Sequence, residues 1–183
     1  MTAYKIPKTH QKKSNCDVHG LSITYCVIDS PVGKLLLAGK NQCLELLSFQ
    51  NGKHPTKLEA SWINDERPFK ETIRQLKAYF SGTLKKFTLK TAPQGTPFQR
   101  QVWLALRAIP YGKTLSYGDI AKAIGKPKAS RAVGAANGKN PISIIVPCHR
   151  VIGSTGKLVG YGGGLPIKET LLTLEGKYKA KKS

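Results

Sequence analysis

Two short signals, twenty residues apart, fix most of what the second half of this chain can become. "TPFQ" at 96–99 and "SYGD" at 116–119 each set a hydroxyl residue three positions ahead of a side chain able to return its hydrogen bond. Such a reciprocal cap satisfies two orphan backbone donors and starts a helix at a defined residue. Pro97 takes the first helical position, where its missing N–H is no loss. Phe98, Val102, Leu106 and Ile109 then recur at helical spacing. The helix opened by Ser116 and Asp119 stops at Gly125. After the breaker "KPK", "ASRAVGAANGKN" reads as a further helix. Two short helices joined by a glycine-containing turn suggest a helix-turn-helix.

The second helix of that pair is nearly bare. Gly134 and Gly138 stand among Ala132, Ala135 and Ala136, although glycine inside a helix costs about 1 kcal/mol against alanine. A reader of base edges in the major groove needs long polar side chains. A smooth helix carrying Arg131 suits close approach to a nucleic-acid backbone or narrow groove. Tight packing against a neighbouring helix would also use small residues, and the sequence leaves both open.

The first half reads differently. "LSITYCVID" alternates Leu21, Ile23, Tyr25 and Val27 on one face, as a half-buried strand does. "KLLLAG" and "CLELLSF" follow a "SPVG" turn as two more strands, giving an antiparallel meander. "NDERPFKETIRQLKAYFSG" reads as a helix with Phe69, Ile73, Leu76 and Phe80 on its inner side, Asn64 or Asp65 as cap, and Gly82 as stop. "KKFTLKT" is expected to add a last strand. The division is therefore a basic tail over 1–18, an α/β domain over 19–90, a linker over 91–95, a mostly helical domain over 96–176 and a basic tail over 177–183. The fold class is α+β.

Thirty Lys and Arg against ten Asp and Glu give a net charge of +20. That excess is self-repulsive unless a polyanion offsets it, which makes nucleic acid the expected partner. No apolar run approaches the roughly 20 residues a bilayer span needs. The N-terminal stretch lacks the pattern of a secretory signal, so a cytoplasmic protein with no membrane partner is expected. Cys16, Cys26, Cys43 and Cys148 show no metal-site spacing, and a reducing compartment would leave them as thiols.

Cys148 lies in "NPISIIVPCHRVIG". The apolar run at 142–146 reads as a buried extended segment, and Pro147 ends regular pairing. A free cysteine is most simply core. Here, however, His149 and Arg150 follow directly, and a thiol of pKa about 8.5 needs a base or a positive field to become a nucleophile. In an extended segment neighbouring side chains point apart, so a water would have to link Cys148 to His149, with a carboxylate orienting the imidazole. The downstream "GSTGKLVGYGGGLP" is a glycine-rich loop able to fold over a pocket, and it has no phosphate-cradle pattern.

"PCHRVIG", followed by "GYGGGLPIKETLLTLEG" and preceded by "SYGDIAKAIGKPKASRAVGAANGKNPISIIV", resembles the O6-alkylguanine-DNA alkyltransferase family. The resemblance covers 96–176 nearly continuously, and "DSPVGKLLLAG" resembles the family's N-terminal domain. It implies a ribonuclease H-like sheet and helix joined to a helix-turn-helix domain. The activity implied is a single, irreversible transfer of an alkyl group from guanine O6, and from O4-alkylthymine, onto the protein's own cysteine after nucleotide flipping. The implied partner is double-stranded DNA carrying the lesion, bound by a monomer.

By matching position, Cys148 resembles the nucleophile, His149 its water-mediated base and Glu175 the group orienting His149. Asn140 would brace the turn before the cysteine segment. Tyr117 would help rotate the nucleotide and donate to the base ring. Arg131 would enter the base stack, with Ala129, Ser130, Ala132, Gly134 and Ala135 at the DNA. Pro147, Val151, Tyr161, Gly162 and Asn137 would line the base pocket. Within it the Cys148 and Val151 carbonyls would accept from the exocyclic amine, and the Gly162 amide would hold O6. Thr170 and Leu174 depart from the family pattern without touching Glu175. Gly162 stands where some members carry serine, which implies a roomier pocket. Lys40 and Glu45 fall where animal members carry zinc ligands, so no metal and no cofactor are expected. Two rivals remain: a cysteine hydrolase, which needs no such charge, and a DNA-lesion binder or regulator, which needs no such cysteine.

Overall fold

The computed structural model describes residues 22–52 and 55–176. Both lysine-rich tails, and Leu21 of the first expected strand, lie outside the described residues. The chain divides into two compact units. One holds the described residues up to Gln94 together with Pro141–Ser143, and the other holds Gly95–Asn140 and continues from Ile144.

The first unit is built on a sheet in the order β3-β2-β1-β4. Strands β1 (Thr24–Ile28), β2 (Leu35–Lys40) and β3 (Cys43–Phe49) form the expected antiparallel meander. Leu35, Leu36 and Leu37 are fully buried, so β2 is covered on both faces. A register shift falls between Ala38 and Gly39. There a Cβ on Gly39 would meet the Cys43 carbonyl oxygen at 2.0 Å, so only glycine fits.

The strand phase was misread. Cys26 is buried and Val27 is 43% exposed, the reverse of the alternation expected for β1. A strand with apolar residues at both parities carries no unique phase. The sheet is also not wholly antiparallel, because β4 (Ile63–Asn64) pairs with β1 in parallel. Two residues are too short a run to show any period. "KKFTLKT" forms no strand, and the chain makes only an isolated bridge at Thr91 to Leu44.

Helix α1 (Lys70–Phe80) follows a 3-10 turn at Arg67–Phe69. The expected cap at Asn64 or Asp65 is not formed, since Glu66 is the N-cap of that turn and Phe69 that of α1; Asp65 accepts from the Arg67 amide at 3.0 Å. Its core side chains are Phe69, Ile73, Leu76 and Tyr79, with Tyr79 fully buried where Phe80 was expected. Pro141–Ser143 adds to this unit alongside β3. The Leu47 amide donates to the Pro141 carbonyl, and the Ser143 amide to the Leu47 carbonyl. Cys26 is a free thiol, whereas Cys43 is in a disulfide, which corrects the expectation of four thiols.

The second unit is helical. Helices α2 (Pro97–Arg107) and α3 (Tyr117–Ala123) each begin at the expected capping box, complete in both directions. Helix α4 (Ser130–Gly138) packs on both α2 and α3. The buried indole N–H of Trp103 donates to the Ala136 carbonyl at 2.8 Å and pins α2 to α4. The turn between α3 and α4 passes through Gly125 at φ 74°, so the helix-turn-helix reading holds. Strand β5 (Leu115–Ser116) pairs in parallel with β6 (Val151–Ile152) and so sets the start of α3 beside the segment that follows Cys148. Helix α5 (Leu165–Leu174) closes the unit.

Candidate active site and nucleic-acid interface

The apolar run before Cys148 is buried, but it is not an extended segment. Residues 143–146 form turns, and Ile144 has φ 70°, a left-handed conformation that β-branched residues rarely adopt. The run then enters a 3-10 turn at Cys148–Arg150. All three residues of that turn are buried. In a 3-10 turn adjacent side chains are not held on opposite faces, so Cys148 and His149 need not point apart as they would in an extended segment.

Asn140 holds the cysteine. Its side-chain amide donates to the Val146 carbonyl at 2.8 Å and to Cys148 Sγ at 3.1 Å. Cys148 is 4% exposed. Burial pushes its thiol pKa up, opposed by the Asn140 hydrogen bond and the positive charge of Lys168. At neutral pH the resting sulfur is thus a protonated thiol and needs a base.

His149 follows Cys148 in the same 3-10 turn and is fully buried. Its Nε2 lies 3.0 Å from Glu175 Oε1. Burial lowers the imidazole pKa, against the pull of Glu175, so the ring is neutral. A carboxylate only accepts, so Nε2 carries the proton and Nδ1 presents its lone pair. Nδ1 is buried and has no hydrogen-bond partner. The Tyr161 ring stands edge-on to the imidazole, centroids 6.5 Å apart.

Glu175 is the hub of this network. Arg150 grips it through Nε at 2.9 Å and through a terminal nitrogen at 2.8 Å, and the Gly112 amide adds a bond at 3.1 Å. Burial alone would raise its pKa, but the hydrogen bonds from His149 and Arg150 and the Arg150 charge overcome this and bring it to about 2. Gly112 sits at φ 68°, and a Cβ there would lie 2.8 Å from the Glu175 carbonyl oxygen. Tyr111 donates its hydroxyl to the Leu174 carbonyl at 3.0 Å, and its ring lies under the Arg150 guanidinium. Arg150, Gly112 and Tyr111 were not singled out from sequence. The pairing of Arg150 with a residue 25 positions away leaves no local signal.

Lys168 was missed as well. Its side chain is fully buried on α5, and Nζ donates to the Val151 carbonyl at 2.6 Å and the Val159 carbonyl at 2.8 Å. Burial lowers its pKa to about 8, opposed by Cys148. The lysine ties the glycine-rich loop to β6. The Val151 amide in turn donates to the Cys148 carbonyl. Both carbonyls expected to receive a base amine thus already accept one hydrogen bond, and each keeps a second lone pair.

Tyr117 begins α3. Burial raises the pKa of its phenol, and Cys148 adds to the rise. A Cβ built on Gly134 would lie 3.7 Å from its ring. Pro147 is buried and its carbonyl accepts from the Arg150 amide. Asn137 is buried on the inner face of α4. Gly162 lies exposed in the loop with nothing within 4 Å of a built Cβ.

The remaining expected residues are not at the cysteine. Ser130, Arg131, Ala132, Ala135 and Gly138 are exposed on the outer face of α4, with Ala129 half-buried at its start. The two faces of the bare helix therefore differ. Its inner side is Val133, Ala136 and Asn137, while a Cβ on Gly138 would meet nothing within 4 Å. Internal packing does not require that glycine.

Two family models match. That for the 6-O-methylguanine DNA methyltransferase DNA-binding domain spans residues 97–177, and that for its ribonuclease-like domain spans 23–93. The chain belongs to this family. A methylated-DNA–protein-cysteine methyltransferase of Methanosarcina acetivorans is 58% identical over 152 residues, covering 83% of this chain and 97% of that protein. The protein of the same name from Mycolicibacterium paratuberculosis is 52% identical over 153 residues, covering 84% and 92%. Among solved structures, Mycobacterium tuberculosis OGT in complex with DNA superposes with a TM-score of 0.80 at 51% identity, covering 84% of this chain and 93% of that one. The O6-methylguanine-DNA methyltransferase of Pyrococcus kodakaraensis, 23% identical, shares the fold with a TM-score of 0.57.

Proposed function

We propose that this protein repairs alkylated DNA by moving the alkyl group of O6-alkylguanine, and of O4-alkylthymine, onto Sγ of its own Cys148, once per molecule. The observation that carries the reading is the neutral His149 beside Cys148, with an unpartnered Nδ1 and with Nε2 locked by Glu175. A water at Nδ1 would relay the thiol proton away as the S–C bond forms and the C–O6 bond breaks. The departing guanine then regains a proton at N1. The thioether product has no good leaving group, and nothing in the site is placed to remove it.

The smooth outer face of α4 supports docking on duplex DNA without base reading, with Arg131 filling the gap left by the everted nucleotide. Tyr117 would turn the nucleotide and donate to the base ring. Pro147, Asn137, Val151, Tyr161 and Gly162 would surround the base. Such a partner suits a cytoplasmic location. Among the described residues no helix is long and apolar enough to cross a membrane.

The test is incubation with duplex DNA labelled on the methyl of O6-methylguanine, followed by the mass of the Cys148 peptide. One methyl on Cys148 per protein, absent in Cys148→Ser, is expected. Repeated turnover without an adduct would point to a hydrolase, and retention of DNA without transfer to a lesion binder.

A further inference from the structure

The first unit carries a basic face that neither its packing nor the Cys148 site accounts for. From Thr72 to Gly118 the chain has no Asp or Glu. Within that stretch, segment 83–90 leaves α1 and runs back along it. The Thr83 and Leu84 amides donate to the Ala78 carbonyl, and the Phe87 ring lies 5.3 Å from that of Tyr79. Thr88 exchanges two hydrogen bonds of 2.9 Å with the buried side chain of Gln75. Phe87 and Leu89 are half-buried, while Lys86, Thr88 and Lys90 are exposed. These three form one ridge, at most about 13 Å long at the rise of an extended chain. Lys70, Arg74 and Lys77, all exposed, recur at i, i+4 and i+7 and form a second ridge on α1.

Helical geometry sets Glu71, the one carboxylate of α1, between the two ridges. It is already taken, by Arg74 at 2.8 and 2.7 Å and by Gln75 at 2.7 Å. Among the described residues no carboxylate lies within ion-pair distance of Lys70, Lys77, Lys86 or Lys90. The fold gains nothing from these charges. Lys70 opens α1, the end of a helix at which a cation is disfavoured, and like charges gathered on one face repel.

We propose that the face formed by α1 and 83–90 is a second contact for duplex DNA, separate from the outer face of α4, where the two ridges neutralise backbone phosphates without reading bases. Charge complementarity selects this partner. A duplex presents one negative charge about every 1.7 Å of its axis, so lysines arrayed without a pocket find phosphates in any register. An ammonium on a flexible stem is a point charge suited to such contacts. The proposal stands whether or not Cys148 accepts an alkyl group.

Full-length wild type is compared with Lys86→Gln/Lys90→Gln, and with Lys34→Gln/Lys57→Gln as an equal charge change on other elements. A third variant, Glu71→Gln, frees Arg74. Kd for an unmodified duplex of about 30 base pairs is measured from about 50 to 200 mM salt. Tm and the single-turnover rate on saturating O6-methylguanine duplex are read beside it. Each phosphate neutralised contributes about 0.9 to the slope of log affinity against log salt. Lys86→Gln/Lys90→Gln is expected to reduce that slope by about 2 and to weaken binding at about 50 mM salt tenfold or more. Its Tm should be unchanged or raised, and its transfer rate unchanged. Lys34→Gln/Lys57→Gln should leave the slope as it is, and Glu71→Gln should tighten binding severalfold. Equal slope changes in the two lysine pairs, no change in the first pair, or no tightening in Glu71→Gln would overturn the proposal. A wild type that binds DNA through this face but never methylates Cys148 would overturn the transfer reading alone.

Discussion

Glu175 takes hydrogen bonds from His149, Arg150 and the Gly112 amide while almost wholly buried. A buried carboxylate so held is stable only as a charge, and its pKa of about 2 expresses that. Because the folded value lies below the ordinary 4.5, the stability it contributes is present above pH 4.5 and is lost as pH falls toward 2. Glu175→Gln leaves the Arg150 charge buried without its partner. It should destabilise the protein by about 3 kcal/mol at pH 7. Denaturant unfolding of both proteins across pH should show the gap closing below pH 4.5. Alkyl transfer should slow in the variant, since Nε2 of His149 then loses the charge that fixes its tautomer. The candidate residues Cys148 and His149 were legible because a cysteine followed by a histidine at the end of a buried run is a rare combination. The groups that hold them were not. Arg150 was noted only as the residue after His149, and Gly112 matters through a backbone amide that any residue but proline could supply. Its glycine identity reflects a contact 63 residues away.

At the scale of elements, helices were legible to the residue where caps set them, as at Thr96 and Ser116. Strands β1 to β3 were legible in place but not in phase, because β1 and β2 carry apolar residues at both parities. The two-residue β4 was not foreseen, and the strand expected over 85–91 does not form. The segment before Cys148 misled because burial alone does not set backbone shape. It is apolar as a buried strand is, yet it turns through Ile144. The glycine-rich loop was expected to fold over a pocket, with no sign in its own sequence of Lys168, which holds it. Lys168→Met removes two donors from buried carbonyls, a loss of about 1–3 kcal/mol. Amide exchange over 153–164 should quicken, and transfer should slow. The pH response has a definite sign. A folded lysine pKa of about 8, below the ordinary 10.5, means the cost of burying the charge is present below pH 8 and is relieved as pH rises toward 10.5. A neutral amine still has two N–H groups for its two carbonyls. The stability advantage of wild type over Lys168→Met should therefore widen across that window. Helix α4 gives a contrasting case. Ala135 is exposed and nothing inside depends on it, so Ala135→Glu should change stability by less than about 0.5 kcal/mol. A carboxylate facing phosphates should still weaken duplex binding about tenfold or more by titration, on any sequence. A large loss of stability would place α4's outer face in the packing instead.

The net charge of +20 acts on the molecule as a whole, and the same screening should move two measurements in opposite directions. In the free protein, thirty cationic side chains repel one another with only ten anionic ones to offset them. Salt shortens the range of that repulsion to about 8–10 Å at 0.1–0.15 M. Raising salt from 50 to 200 mM should thus raise Tm, because it relieves self-repulsion in the folded state more than in the expanded chain. Binding to duplex DNA is driven by release of condensed counterions, and added salt works against that release. Over the same range a protein neutralising six to ten phosphates loses about 10³–10⁵ in affinity. The transfer step proposed above uses a buried neutral imidazole and a buried thiol, so at saturating DNA its rate should be nearly salt-independent. Thermal unfolding, Kd and single-turnover methylation measured on one salt series separate the three. A salt-independent Kd would mean that the charge serves something other than the DNA backbone. A salt-sensitive rate at saturation would mean that an exposed ion pair, absent from the network around Glu175, governs chemistry.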